Sequence, residues 1–334
     1  MLSSAHHAAH HAAHHADVVI VGAGVAGLAA AHHLIAAGVT VTVLEATDGP
    51  GGRMATDSAD GFRLDRTGPL LNTAYTELER TPALRALTLR PFTPGVLVHT
   101  DGRQLRAGSL TPARALASGS LDQARLSAAL GRLAALPEEK LLARPERTAH
   151  AALRSRTLPP RTLNGVLRPL LAALLRDPDL TTSSRVADLA LRTFARGRLA
   201  VPEGGSAVLP DLLAAGLPPG TVLTGIRVRS VATNLVTTEE HGDFRCRSVL
   251  LATGARAAAE LLPGLRLPAF HQVTLLHHAT AGPLPRDASL VLDGDPHWPV
   301  SHTAVMSAVD PTRAPAGRSL VTTTVLGRRR LRTV

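Results

Sequence analysis

The sequence predicts an α/β protein, and three observations carry that prediction. A strand–helix–strand unit begins at Asp17, an alanine- and leucine-rich stretch with repeated prolines follows over 112–197, and strand-like segments return from residue 198 onward. A strand, a helix and a second strand in succession are typical of a parallel sheet. The return of strands after a helical insert indicates two domains that interleave along the chain.

The opening unit has the order of a βαβ unit. From Asp17, "DVVIVGAG" predicts a buried strand, "VAGLAAAHHLIAAG" predicts a helix that ends at Gly38, and "VTVTVLEA" predicts a second buried strand. Such a unit spans about 30 residues, which is the length that a dinucleotide-binding fingerprint requires.

Three glycines and one acid lie at the positions of that fingerprint. Gly22 permits the tight turn out of the first strand, Gly24 leaves room for a pyrophosphate, and Gly27 lets the helix pack close to the sheet. The first amides of the helix and its positive dipole end then face the phosphates. Glu45 ends the second strand, where its carboxylate can accept hydrogen bonds from ribose hydroxyls. The pattern predicts a Rossmann-like dinucleotide site.

The residues after Glu45 decide between NAD and FAD. "EATDGPGGRM" places Gly51, Gly52 and Arg53 just beyond the acid. An arginine on a flexible double-glycine turn can reach a pyrophosphate or a flavin, and its guanidinium offers two parallel donors to phosphate. This second glycine element favours FAD, and no second nicotinamide half with its own acid/base pair is recognisable.

Composition excludes several other classes of function. Cys246 is the only cysteine, which excludes an intramolecular disulfide and a thiolate metal cluster and suits a reducing, cytoplasmic location. Aromatic residues make up 2% of the chain, too few for stacking on nucleic-acid bases. The net charge of +10 comes from arginines scattered along the chain, so we expect no nucleic-acid partner. Apolar runs are too short for a transmembrane segment, and peripheral membrane contact is left open.

Residues 1–16 are a low-complexity stretch of histidine pairs and alanines. On a helix, histidines four residues apart share a face and could chelate a metal ion. No carboxylate or cysteine in the stretch completes such a site. We therefore predict a disordered tail and no metal site.

The stretch from Val19 to Met54 resembles the flavin-containing amine oxidase, protoporphyrinogen oxidase and phytoene desaturase superfamily, whose members carry the dinucleotide glycines, the ribose acid and then a Gly-Gly-Arg element. Later segments are similar to this superfamily in order along the chain: "DRTGP", "VPEGGSAVLPDLLA", "GTVLTGIRVRSV", "SVLLATGARAAAELLPG" and "VSHTAVMSAVDPTRAPAG". The resemblance covers residues 17–326 and implies a GR2-type flavoprotein with FAD as cofactor. It also implies that Val228 contacts the adenine through its backbone.

Two departures from the superfamily pattern affect the expected chemistry. Many amine oxidases of the superfamily hold a lysine beside flavin N5, whereas Lys140, the only lysine, lies in the helical insert. Members also finish with a Gly-Asp turn and a helix under the isoalloxazine, and "TTTVLGRRRLRTV" has no such element. We therefore expect the C-terminal flavin contact to be lacking and the flavin ring of this chain to be mobile.

The resemblance implies an α/β protein in which a Rossmann-like FAD-binding domain is interleaved with a mixed helical and β-sheet substrate domain. The predicted boundaries are 17–92 with 200–265 for the FAD-binding domain, and 93–199 with 266–334 for the substrate domain. The implied activity is dehydrogenation of a small or lipophilic organic substrate by hydride transfer to flavin N5. Three alternatives stay open: a truncated flavoprotein homologue of weak activity, a flavin amine oxidase, and an NAD-dependent dehydrogenase. No residue is assigned a catalytic role.

Overall fold

The computed structural model describes residues 14–100, 102–108, 121–285, 287–295 and 300–327. The strands of these ranges are β1 His14–Val21, β2 Val41–Leu44, β3 Thr56–Ala59, β4 Phe62–Asp65, β5 Leu71–Asn72, β6 Leu89–Pro91, β7 Val96–Thr100, β8 Arg103–Ala107, β9 Leu199–Pro202, β10 Val222–Leu223, β11 Val228–Ala232, β12 Leu235–Thr238, β13 Asp243–Leu251, β14 Val273–Thr280, β15 Val291–Asp293, β16 Val300–Val305 and β17 Ser319–Leu326.

The helices of the same ranges are α1 Val25–Ala36, α2 Thr76–Arg80, α3 Leu121–Ala135, α4 Glu138–Leu142, α5 Ala149–Arg154, α6 Pro160–Thr162, α7 Arg168–Leu175, α8 Ser184–Arg196, α9 Val208–Ala215, α10 Ala255–Leu261 and α11 Met306–Val309. Short 3₁₀ helices occupy Pro82–Leu84 and Pro311–Arg313, and a π-helical segment, Leu163–Leu167, joins α6 to α7. No helix of the described ranges has both the length and the apolar character that crossing a bilayer requires.

The described residues form two compact units that alternate along the chain. The first unit combines the described residues of Met1–Ala55 with Thr81–Leu87 and Ser206–Ala269, and the second combines Thr56–Arg80, Thr88–Gly205 and the described residues of Phe270–Val334. The chain thus passes into the second unit at residue 56, before the predicted domain boundary at residue 93. Strands β3 and β4 of this stretch pair with each other, and β5 and β6 both form antiparallel ladders with β9 of the same unit.

The first unit contains the predicted βαβ unit. Its sheet has the order β10-β2-β1-β13-β12-β11, and β1 pairs in parallel with β2 and β13. The apolar run of β1 is buried on both sides, with Val19 and Ile20 at 1% and 0% exposure, as expected for an inner parallel strand. Helix α1 ends at its C-cap Ala37, and Gly38 leaves it with φ of +80°, the left-handed conformation that favours glycine at a helix end.

The predicted tail needs one correction. Strand β1 begins at His14, and residues 14–16 pair with residues 244–246 of β13. Because β13 extends far enough to offer partners to these residues, they belong to the sheet and not to the tail. Residues 1–13, which include the other histidine pairs, lie outside the described residues.

The second unit is built on a sheet of order β14-β17-β16-β15-β7-β8, in which β7 and β8 form the predicted hairpin. Helices α3 to α8 come from the predicted helical stretch, which the prolines divide into short pieces. Apolar side chains of the sheet and of these helices form one buried cluster, which includes Leu171, Leu191 and Leu292. The predicted α/β fold class is confirmed, and the main sheet of each unit is mixed: β11-β12-β13 is antiparallel in the first unit's otherwise parallel sheet, and β15 pairs in parallel with β7 in the second unit's otherwise antiparallel sheet.

Candidate functional site

The turn between β1 and α1 requires glycine at two positions. Gly22 has φ of +105°, and a Cβ atom there would lie 3.0 Å from the carbonyl oxygen of Ala252. A Cβ atom on Gly27 would lie 2.0 Å from the carbonyl oxygen of Gly22, because α1 packs directly on the turn. Both predicted roles, the tight turn and the close helix packing, therefore have a steric basis in the structure.

Gly24 differs from these two glycines because nothing crowds it. It is the N-cap of α1 with φ of −72°, and a Cβ atom there would meet no atom within 4 Å. The first turn of the helix contains no acidic side chain of its own. A residue without a side chain at an open helix N-terminus suits the approach of a phosphate group.

The second glycine element lies against the first. The amide of Gly51 donates to the carbonyl oxygen of Ala23 over 2.9 Å, and Gly51 pairs with Gly24 as an isolated β-bridge. A Cβ atom on Gly52 would be 3.6 Å from the Cα atom of Gly24. Gly51 and Gly52 have φ of +126° and +57°, which explains the glycine pair. The exposed Arg53 follows this turn directly.

Glu45 lies at the end of β2, buried beside the same turn. Its Oε2 atom accepts a hydrogen bond of 2.8 Å from the amide of Ala23. Its Oε1 atom accepts hydrogen bonds from the amide and the hydroxyl of Thr47, at 3.0 and 2.8 Å. A carboxylate has about four lone-pair directions, so a ribose hydroxyl still finds an acceptor. The role of Glu45 in bracing the glycine turn and the contribution of Thr47 were not predicted, because neither carries a sequence signal.

Val228 begins β11, and its half-buried side chain packs against the apolar cluster of the first unit. The residues just before it run beside the turn that follows β2. The amide of Ile226 donates to the carbonyl oxygen of Glu45, and the amide of Gly225 donates to that of Thr47. Val228 thus lies two residues beyond Ile226, whose amide is bonded to Glu45, and its contact with adenine stays a prediction.

These arrangements fit the diphosphate and ribose of a dinucleotide. The two glycine elements and Glu45 were predicted to lie together, and the structure brings them together within the first unit. The predicted lack of a C-terminal flavin contact depends in part on residues 328–334, which lie outside the described residues, and it stays a prediction.

Substitution Gly24→Ala is expected to separate cofactor binding from folding. The methyl group meets no protein atom and the backbone is extended, so the free energy of unfolding should change by less than about 0.5 kcal/mol. The same methyl group occupies the space left for the pyrophosphate, so FAD affinity should fall at least about tenfold, equivalent to 1.4 kcal/mol. Calorimetric titration and urea unfolding of the same preparation measure the two quantities. Unchanged FAD affinity would mean that the phosphates bind elsewhere.

A cavity in the second unit is the other candidate site. Its walls are largely apolar and include Phe92, Leu290 and Met306. Its volume of about 30 Å³ holds little more than a water molecule. A substrate would therefore have to displace side chains to enter.

Four polar residues along this cavity, Asp65, His277, Arg313 and Thr322, are bonded to one another. The carboxylate of Asp65 is paired with Arg313 at 2.8 Å. His277 bonds the Thr322 hydroxyl through Nδ1 at 2.9 Å and the Asp65 carbonyl oxygen through Nε2 at 3.1 Å. His302 is almost fully buried. Asp65 is the only carboxylate among the described lining residues, so none of them offers an unpaired negative charge.

Burial, and in smaller part the charge of Arg176, lowers the pKa of His302 to about 3. His302 is therefore neutral in the folded protein at physiological pH.

Lowering the pH from 6.5 to 5 is expected to destabilise the protein by about 2 kcal/mol through His302 alone. The folded pKa lies below the unfolded value, so the unfolded state binds the proton more tightly. The stabilisation is complete above about pH 6.5 and declines as the pH falls toward the folded pKa of about 3. Denaturant unfolding of the wild type and of His302→Gln at both pH values isolates this effect, and equal pH dependence in the two proteins would contradict it.

Comparison with known proteins bears on this site and fold. Phytoene dehydrogenase of Streptomyces griseus is 43% identical over 106 residues, 27% of this chain and 21% of that protein. Polyamine oxidase 1 of Oryza sativa subsp. japonica is 33% identical over 239 residues, 64% of this chain and 46% of that protein. The chain thus spans less than half the length of either relative. The structure of putrescine oxidase bound to putrescine has a TM-score of 0.67 at 20% identity, covering 94% of this chain and 76% of that one.

A family model described as flavin-containing amine oxidoreductase matches residues 25–334. The match covers the second glycine element, Glu45 and the second unit. The predicted resemblance, the α/β flavoprotein fold and the cofactor are confirmed by these comparisons. The chain belongs to the flavin-containing amine oxidoreductase family, and its cofactor is FAD.

Proposed function

We propose that this protein is an FAD-dependent oxidoreductase that dehydrogenates a small or lipophilic organic substrate that carries no positive charge. The contact between the two glycine elements beside Glu45 carries the oxidoreductase part of this proposal. Bound FAD supplies the hydride acceptor at N5, which is chemistry that protein side chains lack. The residues of the chain bind the cofactor and position the substrate.

The proposed cofactor contacts divide into three sets. Gly22, Gly24 and Gly27 let the backbone and the N-terminus of α1 approach the pyrophosphate. Gly51, Gly52 and Arg53 cover the same turn and add a guanidinium for the phosphates. Glu45 accepts the ribose hydroxyls, and the backbone of Val228 lies at the adenine.

The substrate class follows from the charges along the cavity of the second unit. A cationic polyamine requires an acceptor of negative charge, and the carboxylate of Asp65 is already paired with Arg313. Arg63, which also lines the cavity, adds positive charge at its side. Lys140 lies in α4, with its neighbours Glu138 and Glu139, outside the cavity. These charges favour a neutral or anionic substrate of largely apolar surface, as in desaturase or porphyrinogen oxidation.

Amine oxidation is the competing activity, because polyamine oxidase 1 and putrescine oxidase are among the similar proteins. An anaerobic experiment on the FAD-loaded chain distinguishes the two activities. Phytoene, coproporphyrinogen III and putrescine are mixed with it in turn, and the bleaching of the flavin absorption band is followed. We expect bleaching by a neutral or anionic compound and none by putrescine. Bleaching by putrescine alone would establish amine oxidation instead, and no bleaching by any of them would contradict the proposed dehydrogenation.

A further inference from the structure

A groove on the helical part of the second unit has no role in the proposed function. Its lining comes from α5, α6, the π-helical segment and the first residue of α7, and its volume is about 470 Å³. Small-molecule sites usually have about 300–1,000 Å³. The residues that line this helical groove are His150, Leu153, Arg154, Pro160, Leu163, Asn164 and Arg168.

The backbone beside the helical groove departs from a regular helix. The chain is π-helical over Leu163–Leu167, and Pro169 follows in the next turn. Proline has no amide hydrogen for the carbonyl oxygen four residues earlier, so an α-helical bond is unavailable at that point. π-helical segments are rare and occur frequently at functional sites. Here the segment contributes Leu163 and Asn164 to the groove.

The charged side chains of the helical groove are all basic. Arg154 is exposed, whereas Arg168 and His150 are half-buried, and no carboxylate is among the lining residues that the structure describes. Within the described ranges, neither arginine has a carboxylate at ion-pair distance. The positive charge of the groove is therefore uncompensated.

Other arginines of the same helical region contrast with these two. Those other arginines form ion pairs with acids of the region. Their ion pairs are Asp188 with Arg144 and Arg156, Asp122 with Arg161, and Glu146 with Arg185.

One contact inside the groove fixes a histidine tautomer. An Nη1 atom of Arg168 lies 3.5 Å from Nδ1 of His150. Because a guanidinium can only donate, Nδ1 must accept and the proton of a neutral His150 must be on Nε2. The imidazole then has one donor, its Nε2–H group, so both arginines, His150 and the amide group of Asn164 can all donate to a ligand.

We propose that the helical groove binds the phosphate group of an amphipathic ligand. Arg154 and Arg168 donate to the phosphate oxygens, for which the planar guanidinium is well suited. Leu153, Pro160 and Leu163 provide an apolar wall for the organic part. The phosphate belongs either to a free small molecule or to an anionic lipid head group. None of these residues belongs to the glycine elements or to the cavity, so the proposal does not depend on the proposed activity.

The test uses the full chain saturated with FAD, so that the glycine elements cannot bind the probe. Phenyl phosphate and phenol are titrated by calorimetry as a charged and uncharged pair, and sedimentation with vesicles of phosphatidylcholine, with and without phosphatidic acid, tests the lipid source. The variants are Arg154→Gln, Arg168→Gln and the control Arg132→Gln. Arg132 is an exposed arginine of α3 outside the groove, and its replacement changes the net charge equally.

We expect phenyl phosphate to bind saturably and phenol not to bind. Each groove variant should weaken binding at least about tenfold, the effect of losing one charge-assisted hydrogen bond, and the control should change it by less than about twofold because a single surface charge acts weakly at a distance. Binding to acidic vesicles alone, lost in the groove variants, would support the proposal with the lipid as source. If neither phenyl phosphate nor the acidic vesicles bind, the proposal is overturned. It is also overturned if the control weakens binding as much as the groove variants.

Discussion

Substitution Gly27→Ala is expected to abolish FAD binding and to destabilise the protein by about 1–3 kcal/mol, the usual cost of an overpacked position. The added Cβ atom would lie 2.0 Å from the carbonyl oxygen of Gly22 and 3.2 Å from the Cβ atom of Ala252. A backbone oxygen cannot move aside as a flexible side chain can. Helix α1 must therefore shift off the sheet, and its N-terminal amides must shift with it away from the phosphates.

Gly131→Ala is the matched control for this prediction. Gly131 also lies inside a helix, α3, but a Cβ atom there would meet nothing within 4 Å. Alanine in an open helical position should stabilise the protein by about 0.5–1 kcal/mol and leave FAD affinity unchanged. Urea unfolding and calorimetric titration with FAD give both quantities for each variant. If Gly27→Ala behaves like Gly131→Ala, helix packing at the glycine turn is not as described.

Substitution Arg313→Met is expected to cost about 3–5 kcal/mol of stability, as breaking a buried ion pair does. The Arg313 side chain is 2% exposed and pairs with Asp65 at 2.8 Å and with Asp310 at 3.0 Å. It also donates to the carbonyl oxygen of Pro202. Methionine of similar volume leaves two buried carboxylates without their cation. The same loss should place unpaired negative charge beside the cavity of the second unit.

The electrostatics of Asp310 support this expectation. Burial raises the pKa of its carboxyl, but hydrogen bonds from Thr312, Gly204 and Arg313 outweigh burial and hold the pKa below its usual value. Asp310 is therefore ionised, and removing Arg313 removes one of the donors that keep it so. The contribution of this group is present above about pH 3.8 and is lost as the pH falls below that value.

Arg66→Met provides the matched control in the same unit. Arg66 pairs with Asp57 at 2.7 Å, but the two side chains are 63% and 52% exposed, and exposed pairs contribute about 0–1 kcal/mol. Equilibrium unfolding in urea should thus show a much smaller loss of stability for Arg66→Met than for Arg313→Met, although the two arginines have similar ion-pair distances. Equal costs for the two variants would show that burial does not decide the contribution of Arg313.

The parts of the site that could be predicted from sequence are those whose function requires a residue type at a fixed spacing. Gly22, Gly24 and Gly27 form such a set within six residues of chain, because Gly22 and Gly27 each answer a steric demand and Gly24 leaves open space at the helix N-terminus. The Gly51-Gly52 pair was predicted to act with them, and its contact with Gly24 follows from the parallel βαβ geometry. Helix α1 and strands β1 and β2 were predictable for the same reason, since their signals are local.

The remaining features depend on contacts between distant residues. Asp65 and Arg313 are separated by most of the chain, so their ion pair has no local signal. The start of β1 at His14 depends on the length of β13, and the place where the chain changes unit depends on the pairing of β9. The helical groove combines three helices, a π-helical segment and two arginines, and only the structure shows that these lie together.

The central claim is that the two glycine elements and Glu45 bind FAD. Calorimetric titration of the apo-protein with FAD and with NAD tests it most directly. We expect saturable binding of FAD at one site per chain, at least about tenfold tighter than NAD, a difference equivalent to 1.4 kcal/mol. Binding of NAD as tight as that of FAD, or no saturable binding of FAD, would contradict it.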